Sequence, residues 1–177
     1  MINHQSLNIE VRPETDSDHL AIHRINELAF GRPQEADIVD KLRDSCPEFL
    51  SLVAAMGGQV VGHILFTPIT IEGSDRTGGM ALGPLAVMPE IQKQGIGSRL
   101  TIEGLEILRR AGCPYVIVLG HPEYYPRFGF VPASKFGLVS QWESVPDEAF
   151  MALELIPGAL AGVSGVARYR AEFDEVS

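Results

Sequence analysis

Apolar and polar residues alternate from Leu7 through Asn8, Ile9, Glu10 and Val11 to Arg12, the period of a strand with one buried face, and Pro13 closes it. Thr15, Asp16 and Ser17 are candidate caps for a helix whose apolar positions include Leu20, Ile22, Ile25 and Leu28, and which Gly31 and Pro33 break. A second helix is predicted from about Gln34 to Asp44, with Ala36, Ile38, Val39 and Leu42 inside and Pro47 as its stop. From Leu50 the texture changes. Leu50 to Met56 is an apolar run bounded by Gly57-Gly58, a strand and tight turn. Gln59 to Ile71 reads as a longer strand, Gly73 to Gly79 as a polar loop and Met80 to Val87 as a third strand, together an antiparallel meander. Gly95 to Arg110 reads as a helix with Ile96, Leu100, Gly104 and Leu108 on one i,i+4 row, ended by Gly112 and Pro114. Tyr115 to Leu119 is a short apolar strand of the kind buried on both faces. The helix before it is a crossover, so it should pair in parallel with Met80–Val87. Later strands are expected near Phe130, at Ala149 to Leu155 and near Ala167 to Phe173, with Ser140 to Asp147 a loop. The order predicts a mixed α/β sheet rather than a doubly wound one.

Composition narrows the class. The 177 residues, 45% hydrophobic and 21% charged, fit one domain over 1–177 that needs neither disulfides nor a structural metal. Asp and Glu number 23 against 14 Lys and Arg, a net charge of −9. No basic run offers a face for phosphate backbones, which argues against nucleic acid, and the acidity favours a cationic acceptor weakly. Cys46 and Cys113 each precede a proline and read as reduced thiols. Met1 to Arg12 lacks an apolar leader core, and no apolar run approaches the ~20 residues that cross a bilayer, so no membrane and a cytoplasmic setting are expected. His19 and His23 sit four apart on a predicted helix, but no third ligand is evident, so no metal is expected.

Two segments carry candidate chemistry. In Leu85-Ala86-Val87-Met88-Pro89-Glu90-Ile91-Gln92-Lys93-Gln94-Gly95-Ile96-Gly97-Ser98 a strand ends, a short loop follows and two glycines open a helix. A helix start presents unpaired N–H groups and the positive end of the dipole, and glycines let a phosphate approach that backbone. Gln92 to Ser98 is therefore a candidate pyrophosphate cradle; taken alone it is also a plain glycine-rich turn. No Gly-Lys-Ser/Thr follows, so it is not a Walker loop, and Arg99-Leu100 stands where a dinucleotide fingerprint needs its third glycine. The second segment is His121-Pro122-Glu123-Tyr124-Tyr125-Pro126-Arg127-Phe128-Gly129-Phe130, just past a buried strand, where a tyrosine can serve as proton donor or simply pack.

In this order the two segments resemble the GNAT superfamily of acetyl-CoA-dependent N-acetyltransferases. Gln92-Lys93-Gln94-Gly95-Ile96-Gly97 matches its Arg/Gln-x-x-Gly-x-Gly/Ala signature, Leu85-Ala86-Val87-Met88-Pro89 its Leu-x-Val-x-Pro strand, and Tyr125-Pro126-Arg127-Phe128-Gly129-Phe130 its Tyr-x-x-x-Gly-Phe. Phe30-Gly31, Glu35-Ala36, Leu42-Arg43 and Leu155-Ile156-Pro157-Gly158-Ala159-Leu160 look like its bacterial YhbS-type branch. The resemblance implies a mostly antiparallel central sheet with one splayed parallel pair, flanked by helices. It implies acetyl-CoA as acyl donor and a small-molecule or peptide amine as acceptor, in a monomer or homodimer. Leu85, Ala86 and Val87 would hold the pantetheine arm through their backbone. Gln92, Lys93, Gln94, Gly95, Ile96, Gly97 and Ser98 would hold the pyrophosphate. Tyr125, four residues before the glycine of Gly-Phe, would protonate the leaving thiolate. The base stays open: some family members carry a glutamate on the strand that Met80–Val87 matches, this chain has none there, and His121, Glu123 or a relayed water are the candidates. A catalytically degenerate acyl-CoA-binding module is the rival reading.

Overall fold

The computed structural model describes residues 8–176. Leu7, and the expectation drawn from Met1 to Arg12 as far as residue 7, lie outside that range. Strands β1 (Ile9–Pro13), β2 (Leu50–Met56), β3 (Gln59–Pro68), β5 (Met80–Val87), β6 (Tyr115–Leu119), β7 (Val131–Pro132) and β9 (Phe150–Glu154) form one sheet in the order β1-β2-β3-β5-β6-β9-β7. Strands β4 (Thr70–Ile71), β10 (Gly165–Arg168) and β8 (Leu138–Ser140) form a small second sheet. The helices are α1 (His19–Phe30), α2 (Gln34–Ser45) and α3 (Ile96–Arg110). In the main sheet only β5 and β6 run parallel, as the crossover through α3 requires.

The side-chain period of two divides the core. Leu52, Ala54, Ile64, Phe66, Val116 and Val118 pack with Ile96, Leu100 and Leu108 of α3. The intervening Val53, Leu65, Tyr115 and Ile117 pack with Ile22 of α1 and Ile38, Val39 and Leu42 of α2. Buried on both faces, these strands read as continuous apolar runs. On α3 the row Ile96, Leu100, Gly104 and Leu108 is buried as expected. Gly104 is where the helix meets Phe66: a Cβ there would lie 2.5 Å from the ring.

Three expectations are corrected. The strand from Gln59 to Ile71 is two strands: β3 pairs with β5 only as far as Pro68↔Met80, and Thr70-Ile71 turns away to pair with Arg168 and Ala167. Pro68 has no N–H to continue a ladder, and β5 has no residue left to meet. The late strand is β10, Gly165–Arg168, and Phe173 sits in a 3₁₀ turn at Ala171–Glu175. On α1 only Ile22, Ile25 and Asn26 face inward, whereas Leu20 is 87% exposed, because at 100° per residue it lies nearly opposite Ile22.

Asn26 belongs to a buried polar chain that hydropathy cannot show. Its side-chain amide bonds the Ile22 carbonyl at 3.0 Å and meets Nδ1 of His63, a fully buried residue of β3, at 3.1 Å. Nε2 of His63 meets Ser51 Oγ at 2.9 Å, Ser51 donates to Glu14, and Glu14 accepts from Arg43 at 2.8 Å. Arg43 reaches Asp40 at 2.7 Å, and Asp40 meets His23 at 2.7 Å. Burial pushes His63 down to about 4, so it is neutral, while burial of Glu14 is outweighed by Arg43 and Ser51, which lower it. His23, the pair with His19 in the sequence, is thus engaged by a carboxylate, and His19 lies 3.4 Å from Glu14. No cluster suited to a metal occurs among the described residues. Cys46 and Cys113 are buried free thiols, and burial raises Cys113 to about 11, which makes it inert. No helix among the described residues is long and apolar enough to cross a membrane.

Candidate active site

The site begins where β5 and β6 part. They pair only from Met80↔Val116 to Leu82↔Val118. Beyond that, β5 continues to Val87 bonded to β3 alone, while β6 stays with β9 up to Leu119↔Phe150. The segment Gly83-Pro84 stands at the fork, where proline offers no donor toward β6. Leu85 to Val87 therefore present a free backbone edge, which an extended chain can pair with as an added strand.

A cavity of about 810 Å³ lies along this edge. Leu85 and Val87 line it from the strand, Gln92, Lys93, Gly95, Ile96, Gly97 and Ser98 from the turn and helix start. Of the ten expected cofactor-binding positions, Ala86 and Gln94 do not line it; Ala86 is buried beside His63 in the ladder. The turn is built for close approach. Lys93 and Gly95 both take left-handed backbone, at φ 61° and 87°, and Gln92 Nε2 donates to the Val87 carbonyl at 3.0 Å, tying the turn to the strand end. No side chain caps α3, and its first hydrogen bond of the helical type is Arg99 N to Gly95 O at 3.0 Å. The N–H groups of Ile96, Gly97 and Ser98 are left for an anion. A Cβ on Gly97 would project into the cradle, 3.1 Å from the Tyr124 hydroxyl. Lys93 and Arg127 bring positive charge, Arg127 lying 4.6 Å over the Tyr124 ring.

A second cavity of about 550 Å³ lies on the other side of the fork. Leu85, His121 and Tyr125 line both, so the two cavities meet at these three side chains. Tyr125 follows a turn in which its N–H and that of Tyr124 point at the His121 carbonyl, at 3.4 and 3.1 Å. Its ring lies flat against Gly120, where a Cβ would stand 2.3 Å from it, and edge-on to Tyr124 and Phe130. Burial, then the neighbouring Tyr124, pushes its phenol above the ordinary range, so it holds its proton. Tyr124 points elsewhere: its hydroxyl lies 3.5 Å from Ser98 Oγ, over the helix start. His121 is exposed at the end of β6.

Residues 19–130 match the acetyltransferase (GNAT) family. The chain belongs to that family. Among its GNAT relatives, the uncharacterized N-acetyltransferase YhbS of Escherichia coli (strain K12) is 36% identical over 93% of this chain and 98% of its own. The uncharacterized N-acetyltransferase YjhQ of the same strain is 47% identical over 67% of each chain. The crystal structure of Escherichia coli YhbS in complex with CoA superposes with a TM-score of 0.89 at 34% identity, covering 96% of this chain and 93% of that one. A GNAT acetyltransferase from Brucella melitensis in complex with acetyl-CoA superposes at 0.78 with 36% identity, over 95% and 99%. The mostly antiparallel sheet with one parallel pair is the GNAT architecture, and the likeness to the YhbS-type branch holds over nearly the whole chain.

Tyr169, just past β10, lines the second cavity together with Phe30, Glu35, Trp142 and Phe173, and of these only Trp142 stood out as a candidate in the sequence. The Trp142 and Tyr169 rings meet at 4.9 Å, tilted by 49°, and the buried Tyr169 hydroxyl lies beside the end of β6 without a well-formed hydrogen bond. Phe30, Glu35, Tyr169 and Phe173 are scattered over about 140 residues and share no local pattern. In the wall of this cavity Arg32 and Glu35 bond each other bidentately, Nε to Oε2 at 3.1 Å and an Nη to Oε1 at 2.5 Å.

Proposed function

We propose that the protein transfers an acetyl group from acetyl-CoA to a primary amine by direct attack in a ternary complex. The observation that carries this reading is the meeting of two cavities at Leu85, His121 and Tyr125, where β5 and β6 part. The longer cavity fits a phosphopantetheine chain, with a free strand edge for its amides and an uncapped glycine-rich helix start for its pyrophosphate. Bound there, the donor supplies a thioester already activated toward amines.

The chain's own residues do the rest. Leu85 to Val87 orient the arm through their backbone, and Ile96, Gly97 and Ser98 donate to phosphate oxygens, with Lys93 and Arg127 adding charge. Gln94, outside the cavity wall, acts by shaping the turn. Tyr125 holds a proton at the fork and gives it to the departing sulfur. The acceptor amine forms the new C–N bond as the C–S bond breaks, and its surplus proton leaves through His121, Glu123 or water at the exposed mouth. Burial weakens Tyr125 as an acid, so its proton moves to sulfur only as negative charge develops there, along a hydrogen bond already formed, and the phenolate regains a proton from solvent as CoA leaves.

The test is thiol release from acetyl-CoA with a panel of monoamines, polyamines, amino acids and peptides. Amine-dependent release with an N-acetylated product supports the reading. Tight acetyl-CoA binding with no release for any amine supports the degenerate binding module instead. Replacing His121 by Ala and, separately, Glu123 by Gln then decides the base: loss of the ascending limb of the pH–rate profile in one variant assigns that residue, and an unchanged profile in both passes the role to water.

A further inference from the structure

We infer that the acceptor is a compact primary amine carried on an apolar or aromatic body, and that the second cavity selects it over polyamines and peptides. This deepens the acetyltransfer reading and rests on it.

The cavity behind the fork is walled by apolar side chains from distant parts of the chain: Phe30 of α1, Ile38 of α2, Leu119 of β6, Trp142 and Val145 of the loop after β8, and Phe173. Phe30 and Leu119 remain 41% and 40% exposed, and unlike the scattered exposed residues Leu20 and Ile102 they face one concavity together with Trp142, Val145 and Phe173. Apolar surface gathered at one concave place is surface left for an occupant. A volume of about 550 Å³ suits a small molecule rather than a folded terminus.

Charge in the wall argues the same way. Arg32 and Glu35 neutralise each other. Glu143 is the remaining carboxylate of the wall, and it is exposed. A linear polyamine would set two or more ammonium groups against Phe, Val and Leu with one carboxylate to share, and an unpaired buried charge is strongly disfavoured. A peptide would bring backbone donors and acceptors to a wall that offers few partners. A monoamine has a single polar end, which must reach the fork, and a body that the aromatic wall accepts. The apolar surroundings also disfavour the ammonium form, so they help present the free amine. That bears on the absence of an acid from β5: part of the deprotonation is done by desolvation.

Trp142 is the protein's only tryptophan, and it lines this cavity, so its emission reports occupancy independently of turnover. With CoA saturating, 2-phenylethylamine should change Trp142 emission saturably, and spermidine should not at a tenfold higher concentration. In the thiol-release assay kcat/KM for 2-phenylethylamine should exceed that for spermidine or an alanyl peptide by about tenfold or more, the effect of a single well-buried aromatic contact. Trp142→Ala should raise KM for 2-phenylethylamine more than it lowers kcat. A saturable response to spermidine with none to 2-phenylethylamine, or a higher kcat/KM for the polyamine or peptide, overturns the inference while leaving acetyltransfer intact. Saturation by 2-phenylethylamine without thiol release from any amine overturns the acetyltransfer reading and leaves the cavity's selectivity standing.

Discussion

Tyr124 and Tyr125 are neighbours in the chain with opposite placements. Tyr125 is pinned on Gly120 and lines both cavities, whereas the Tyr124 hydroxyl stands over the start of α3 near Ser98. Tyr125→Phe should lower kcat by roughly 10²–10⁴, the span of a positioned acid, with acetyl-CoA affinity little changed because the loss falls in the transition state. Tyr124→Phe should move the KM for acetyl-CoA slightly and kcat hardly at all; equal losses in both variants under steady-state kinetics would refute the division. His63 makes a different prediction. Its neutral form is favoured on folding, with a pKa of about 4 against 6.5 for the free side chain, so the unfolded chain binds more protons between these values. Stability is therefore full above pH 6.5 and falls as pH drops toward about 4. The depressed carboxylates Asp18 and Glu172, each held at about 2 by an arginine, extend the loss below that. Urea unfolding across this range should show the slope, and His63→Gln should flatten it between pH 6.5 and 4 while costing about 1–3 kcal/mol at neutral pH through disturbed bonds to Asn26 and Ser51.

Helix α3 shows how an element serves two masters. Its middle carries Gly104, which helix propensity disfavours by about 1 kcal/mol relative to alanine. Yet a Cβ there would stand 2.5 Å from the fully buried Phe66 ring. Overpacking typically costs about 1–3 kcal/mol, so Gly104→Ala should be neutral to destabilising by about 2 kcal/mol in chemical denaturation, not stabilising. Close packing of α3 on β3 holds its first turn against the end of β5, which is what aims the free N–H groups along the strand edge. The strand pair β5–β6 has a comparable double character. It is a normal parallel ladder to Leu82 and a fork beyond it, and the two cavities meet at that fork.

At the scale of the molecule, donor binding should couple to stability. A ligand held only by the folded chain stabilises it by mass action, about 2.7 kcal/mol at a concentration 100 times its Kd. Acetyl-CoA should accordingly raise the melting temperature. Gly97→Glu fills the cradle and sets a like charge against phosphate, so it should abolish that rise, while the unliganded melting temperature shows whether the variant is folded. A full shift in the folded variant would remove the cradle from α3.

The strand end, turn and helix start that line the larger cavity were legible because their signals are local. The run Leu85 to Ser98 holds strand end, turn and helix start within fourteen positions, and Tyr125 keeps a fixed spacing to Gly129 because one tight turn joins them. The periods of α3 and the central strands likewise follow from which neighbours along the chain share a face. The break of β3 at Pro68, the outward Leu20, the chain from Asn26 through His63 to Glu14 and most of the aromatic wall of the second cavity were not legible. Each depends on which partner a distant segment supplies: Met80 for Pro68, Ser51 for His63, Tyr169 for Trp142. Backbone conformation and the free N–H groups of a helix start are short-range properties of adjacent residues, so the sequence alone determined them. Burial, partnered polarity and cavity shape exist only once remote parts of the chain have met, and those the tertiary structure decided.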